Sequence, residues 1–546
     1  MLNRPLRRPA DFKGLPTGAA ATVAWSATVL AVLLIAPPAA AASPHSNLTF
    51  RPYTIPAPSE SQYQGGSSDG TEPRVAVGRS GVIWTVISPG LSEPRAQVWR
   101  SSDDGRTFTQ TRSEFPGQHA PITDVDIAAL RTGRLVAIEE DSGNAVTGNS
   151  YPPTAPYRFE VGYSDNGGNT WRPTSGTELV DEDRPWLAEG PIDPATHQPI
   201  VYLTFHNIFS GVAAKNMFVQ TSHDGGASFG SPVPITLPGQ EAFTALQCGA
   251  TTGPSALFVN EQTGQIYVVF ETSSGTIGAL GGCGTAIGGT VPGQFFAPYS
   301  RMWVATSRDG SLGSWTQSLA VDDSATQQII GSQLADGAID RSGNIWVVYP
   351  ETPGTFPHFE GAAVRVRWAT ADLSHWSAPI TIAPRGGAGH LLTHIAAGDA
   401  GKIDVAYLTG HARKKNTPVW RLEVAQVLDG LRRNPTVVRQ QVSSIPAYTG
   451  KAGQLEVACN DAGAASGVMN QEGVTACATR AADVWGRTLT PDCRLVLAWP
   501  SAGRSDLNNA PGAEWATHVS VQVGGPRLCA APSNPSRVGA RRRRRG

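Results

Sequence analysis

The chain has 546 residues, 16% of them charged and 40% hydrophobic, and a formal net charge of −1. That apolar content excludes a disordered chain, and the near-neutral balance gives no reason to expect nucleic acid as a partner. Its 60 glycines and 42 prolines suit many short strands joined by tight turns, since glycine supplies positive φ and proline fixes φ.

Residues 1–42 stand apart. Arg4, Arg7, Arg8 and Lys13 make a basic start, residues 19–36 are apolar apart from Thr22, Ser26 and Thr28, and Pro37 to Ser43 are mostly small. This layout predicts an export signal, cut near residues 41–43, and hence a secreted, extracellular product. An uncleaved anchor is the alternative that the length permits. No later segment is apolar enough to span a bilayer, so the mature chain is expected to have no transmembrane segment.

Beyond a strand at Leu48 to Ile55, the chain repeats itself. A short apolar run, a glycine-containing turn and an alternating strand first read Arg74-Val-Ala-Val-Gly-Arg-Ser-Gly-Val-Ile-Trp-Thr-Val. The pattern returns from Asp126, Trp186, Ala256, Gly337, Ile395 and Leu489, seven copies in all. A second pattern follows the earlier copies. Ser101-x-Asp103-x-Gly105-x-Thr107-Phe108 recurs as Ser164-x-Asn166-x-Gly168-x-Thr170-Trp171 and Ser222-x-Asp224-x-Gly226-x-Ser228-Phe229. Ser307 to Trp315 is one residue longer, and Thr370 to Trp376 is degenerate. The expected geometry is a hairpin turn in which Asp or Asn accepts backbone N–H groups, glycine takes the left-handed position and the aromatic packs between sheets.

These turns resemble the Asp-box (BNR) repeat of sialidases and their non-sialidase relatives, over roughly residues 70–380. The resemblance implies an all-β fold, a single β-propeller of four-stranded antiparallel blades. Seven blades are expected, with six as the alternative if the seventh copy is an appendage. Because that copy runs out of chain after a third strand (Ala516 to Val523), the N-terminal strand is predicted to complete the last blade, which removes an open edge. The propeller is expected to span residues 43–530 as a monomer. Six cysteines suggest three disulfides, with nearest-neighbour pairing (248–283, 459–477, 493–529) as the expectation.

In a propeller the pocket forms where the inner strands begin. The polar groups there that could do glycosidase chemistry are Asp126, Asp183, Tyr349 and Glu351 as catalytic candidates, with Arg184, Asp336 and His394 as substrate-binding candidates. Carboxylates with an Arg or Tyr are what acid–base attack on a glycosidic bond needs. The plainer reading of each is a group that caps or pairs at a strand end. The sialidase Phe/Tyr-Arg-Ile-Pro arginine signature is not found: the matching segment reads Thr71-Glu72-Pro73-Arg74-Val75. Three readings stay open: a carbohydrate-active enzyme, a non-catalytic propeller that binds glycan or surface protein, and a calcium-dependent form using the loop Val180-Asp-Glu-Asp183. No cofactor and no metal centre is expected, because no HExxH, GxSxG or CxxC zinc spacing occurs. After residue 530 a Pro/Ser-containing stretch leads to Arg541–Arg545. This tail (531–546) is expected to be disordered, and a salt-sensitive contact with an acidic envelope is one role open to it.

Overall fold

A computed structural model describes residues 48–56, 71–88, 96–111, 122–141, 158–175, 182–207, 216–247, 254–272, 300–323, 336–352, 361–411, 418–449, 485–502 and 515–530. The leader, the tail and the cysteine pairs 248–283 and 459–477 lie outside the described residues.

The first repeat folds into one antiparallel sheet in which Thr71–Val77, Ile83–Ser88, Gln97–Ser101 and Thr109–Gln110 lie side by side. Five further sheets follow the same order, with innermost strands Ile122–Ala129, Glu182–Ile192, Pro254–Val259, Asp336–Ile339 and His390–Ala397. The last sheet runs Gly486–Leu489, Leu495–Ala502, Trp515–Gly524 and then Thr49–Thr54. Each innermost strand touches the next, and the first also touches the seventh. The protein is a seven-bladed β-propeller. The six-blade alternative fails because the seventh copy is a full blade, completed by the N-terminal strand as its fourth member. Among the described residues only blade 6 carries a fifth strand, Tyr448–Thr449, on the same edge as Val437–Gln441.

The closing strand is held by more than its ladder. His518 accepts or donates at both ring nitrogens, to Thr54 Oγ1 (2.9 Å) on the closing strand and to Ser501 Oγ (2.7 Å) on the second. Its ring lies 4.4 Å from that of Trp499.

The Ser-x-Asp turns fold as the spacing predicts. Asp103, Asn166 and Asp224 each accept the backbone N–H four residues on. The aromatic that ends each motif packs against the preceding blade, so Phe108 sits with Val496 and Val521, and Phe229 with Val136 and Ile138. Glycine is required twice over at Gly226: φ is +83°, and a Cβ would lie 2.5 Å from Val136 of blade 2. In the degenerate fifth turn Leu373 takes the left-handed position, φ +55°. These turns and the inner hairpin turns share one face of the ring, here the turn face. The opposite face, here the loop face, is where second strands end and third strands begin, and where each blade hands over to the next.

On the turn face Cys493 and Cys529 form a disulfide, as expected for that pair. It pins the last described segment beneath blades 6 and 7, where Asp399 N–H donates to Leu528 O at 2.8 Å and Gln426 Nε2 to Pro526 O at 3.0 Å.

Candidate functional site

The hairpin registers single out one position in each inner strand. Arg74 faces Val86, Asp126 faces Ile138, Trp186 faces Thr204, Ala256 faces Val269, Asp336 faces Val348, His394 faces Ala406, and Gly486 faces Ala498. These seven residues are the same site of the blade repeated around the ring. Only glycine fits in blade 7, because a Cβ there would run into the backbone of Arg74 and Val75.

Two of the seven are aspartates, and they are used identically. One oxygen of Asp126 accepts its own strand's Ile127 N–H (2.9 Å), and the other accepts Leu187 N–H of blade 3 (2.8 Å). One oxygen of Asp336 accepts Gly337 N–H (2.8 Å), and the other accepts Ile395 N–H of blade 6 (3.0 Å). Each also meets an arginine: Arg74 Nε lies 3.2 Å from Asp126, and Arg487 Nη2 2.5 Å from Asp336. Arg487 belongs to blade 7 and reaches two blades back. Arg74 belongs to blade 1, donates to Trp485 O of blade 7, and stacks 4.2 Å from the Trp186 ring of blade 3. Contacts between blades that are not neighbours can form only across the axis, so these groups cross the central channel.

His394 completes the cluster. Its Nδ1 is 3.4 Å from Asp336 Oδ2, and its ring packs edge-on against Trp485 at 4.5 Å. Burial pushes the imidazole below its ordinary value and Arg487 and Arg74 add to that, against the pull of Asp336. Burial works against ionising Asp336, but the charge of Arg487, the His394 contact and the Ile395 N–H outweigh it, and its carboxyl lies below the usual range. A buried, hydrogen-bonded carboxylate of this kind is a poor proton donor.

The other candidates fall elsewhere. Arg184 is buried two residues before Trp186, with φ +58°, and Leu392 holds the matching place before His394 with φ +53°. In both strands the ladder shifts register at that point, a local distortion costing of order 1 kcal/mol in a non-glycine residue. Asp183 pairs in register with His206, but its side chain lies outside the described residues. Tyr349, expected near the mouth of the channel, has only 1% of its surface exposed and packs among Tyr267, Val269 and Met302 between blades 4 and 5. Burial raises its hydroxyl pKa above the ordinary value. This correction follows from alternation: the side chain points into the inter-blade layer, not along the axis.

Glu351 sits at the loop-face end of blade 5 and binds Arg365 (2.9 Å) and Arg385 (3.3 Å). Beside it is Asp323, whose carboxyl is pushed up by burial and by the charge of Glu351, against the opposing effect of Arg367. Arg367 itself donates to Ala320 O (2.9 Å). Glu351 thus lies with its arginines at the loop-face rim, whereas Asp126, Asp336 and His394 hold equivalent positions of the inner strands. Sequence reasoning missed Arg487, Trp485 and Arg385. Reading the seventh copy from Leu489 stopped short of Arg487, which the hairpin register would have placed beside the axial position.

Among the described residues no group of three or more His, Cys, Asp or Glu side chains is placed to hold a metal ion, and no helix is long and apolar enough to cross a membrane.

No family model matches the sequence, and no curated protein does. Solved structures match with low identity. An ulvan lyase, from a new polysaccharide lyase family, shares 11% identity over 80% of this chain and 93% of its own, with a TM-score of 0.44. An α-L-arabinanase of Penicillium chrysogenum complexed with arabinobiose shares 14% over 73% and 98%, TM-score 0.39. NanB with optactamide shares 12% over 84% and 70%, TM-score 0.39. These likenesses are slight.

Proposed function

We propose that this is a secreted, sialidase-like Asp-box propeller whose loop face binds an extracellular glycan or a cell-surface protein, and that its axial charges pin the ring together. One observation carries the reading. Asp126 and Asp336 each spend both oxygens on backbone N–H groups of two successive blades and also hold an arginine. A carboxylate so engaged is matched to neither proton donation nor attack, which need a free oxygen at the substrate. The ligand surface is then the rim and the connections of the loop face, where a rigid scaffold positions variable segments.

A hydrolase, exo-sialidase-like in the closest case, has one observation in its favour. At the blade 4–5 rim burial and the charge of Glu351 raise the Asp323 carboxyl above its ordinary value, against the opposing effect of Arg367. Two carboxyl groups whose environments push their pKa values apart are the division of labour glycosidases use. The test is a glycan array with the full chain, run beside turnover assays on sialosides, arabinosides and uronate-containing polysaccharides. Saturable binding without turnover supports the scaffold. Turnover abolished by Glu351→Gln and Asp323→Asn, with thermal stability kept, overturns it in favour of the hydrolase.

A further inference from the structure

Asp404, near the turn-face end of the second strand of blade 6, has 1% of its surface exposed. Ala406 and Leu408, further along the same face of that strand, pack with Leu48, Leu495 and Leu497 in the layer between blades 6 and 7. Asp404 Oδ1 accepts Gln426 Nε2 at 3.0 Å, whereas Oδ2 has no hydrogen-bond partner. The same Gln426 Nε2 donates to Pro526 O (3.0 Å), to which Gln522 Nε2 also donates (2.8 Å). One amide thus ties the carboxyl to the last described segment, residues 525–530. That segment lies against this end of blade 6: Asp399 N–H donates to Leu528 O, and Gly398 leaves no room for a Cβ beside Leu528.

The charged groups of the surrounding elements are engaged elsewhere. Lys402 and Arg341 meet Asp399 (3.1 and 3.4 Å), Arg494 meets Asp104 and Asp492 (2.6 and 3.1 Å), and Arg527 meets Asp492 (2.8 Å). Arg487 and His394 meet Asp336. His518 lies four residues before Gln522 on the same face of blade 7 and is held by Thr54 and Ser501. Among the described residues no cation therefore counters the burial of Asp404, which pushes its carboxyl up to about 7. Once ionised, a carboxylate with one amide donor in an apolar layer needs water, and lifting the segment that carries Pro526 O admits it. We propose that Asp404 is a pH-sensitive latch: neutral, it keeps residues 525–530 seated on blades 6 and 7, and its ionisation loosens that segment while the blades stay closed. The Cys493–Cys529 disulfide keeps the loosened segment tethered. A wet carboxyl ionises near 3.8, so the segment is held most tightly below that pH, loosens as pH rises toward 7 and changes no further above it. The latch stands independently of what the loop face binds.

The experiment is hydrogen–deuterium exchange of the full, oxidised chain from pH 4 to 8, read in the peptide over residues 525–530 and divided by the intrinsic rate at each pH. In that peptide the Leu528 and Ala530 N–H groups are bonded to Cys493 O and Asp399. The opening constant should rise about tenfold or more between pH 5 and 7 and level off above. Asp404→Asn cannot ionise and should remove that rise; Asp404→Leu, which suits the apolar layer, is a second non-ionising variant should the first misfold. Gln522→Ala releases one donor from Pro526 O and should speed exchange at every pH while keeping the slope. Acid loosening through His518 has the opposite sign and is common to all these chains, so the ratio of wild type to Asp404→Asn removes it. An equal slope in the non-ionising variants, a flat wild-type profile, or a rise shared by the strands of blade 2 each overturns the proposal.

Discussion

Arg487 of blade 7 donates to Asp336 of blade 5 and, with the same guanidinium, to Ile395 O of the blade between them. Three blades are therefore tied at one point on the axis. The mirror arrangement ties blades 1, 2 and 3 through Arg74, Asp126 and Leu187 N–H.

Removing one partner of this buried pair leaves the other uncompensated, so Arg487→Met is expected to cost about 3 kcal/mol or more. The double change Arg487→Met with Asp336→Leu should recover part of that loss. A thermal melt of the three proteins checks it, and equal melting of wild type and Arg487→Met would remove the axial pin as a source of stability.

Gly226 and Gly133 separate two effects. Both have positive φ, but a Cβ at Gly133 meets nothing within 4 Å, whereas at Gly226 it meets Val136. Gly133→Ala should cost about 1 kcal/mol for backbone strain alone, and Gly226→Ala distinctly more, about 2–4 kcal/mol, because blade 2 must also shift. Urea midpoints of the two variants give the comparison.

The closing strand should weaken with acid. His518 is held neutral, its folded value pushed down to about 4 by burial, against an unfolded value near 6.5. A depressed histidine contributes stability that is complete above about pH 6.5 and is lost as pH falls toward 4, by up to about 3 kcal/mol. His518→Gln should flatten that part of the stability profile between pH 6.5 and 4.5. An unchanged profile would place acid sensitivity elsewhere.

Reduction should release the end of the chain. The Cys493–Cys529 disulfide closes a loop over a separation of 36 residues, worth about 4 kcal/mol in the chain-entropy account. Cys529→Ser should make the segment after Gly524 accessible to protease well before the blades open, as followed by mass spectrometry of limited digests.

The blades were legible in the sequence because their signals are local. A Ser-x-Asp-x-Gly turn closes its hydrogen bonds within a few residues, as Asp103 does with Thr107, so spacing alone describes it. The apolar alternation of segments such as Ile345–Glu351 fixes strand and burial together. The missing fourth strand of blade 7 was also legible, because an unpaired edge demands a partner and only the N-terminal strand was left over.

What each polar group faces was not legible. Tyr349 and Glu351 sit two residues apart on one strand, yet one is packed between blades and the other meets two arginines at the rim. Asp336 and Arg487 are separated by 151 residues, and no local pattern records their meeting. The sequence by itself determined the repeat, its turns and the ring's closure, since those rest on bonds between near neighbours and on the period of burial. Only the tertiary structure decided that the inner-strand aspartates are spent on the axis, because seven inner strands must converge before an arginine from one blade can reach a carboxylate two blades away.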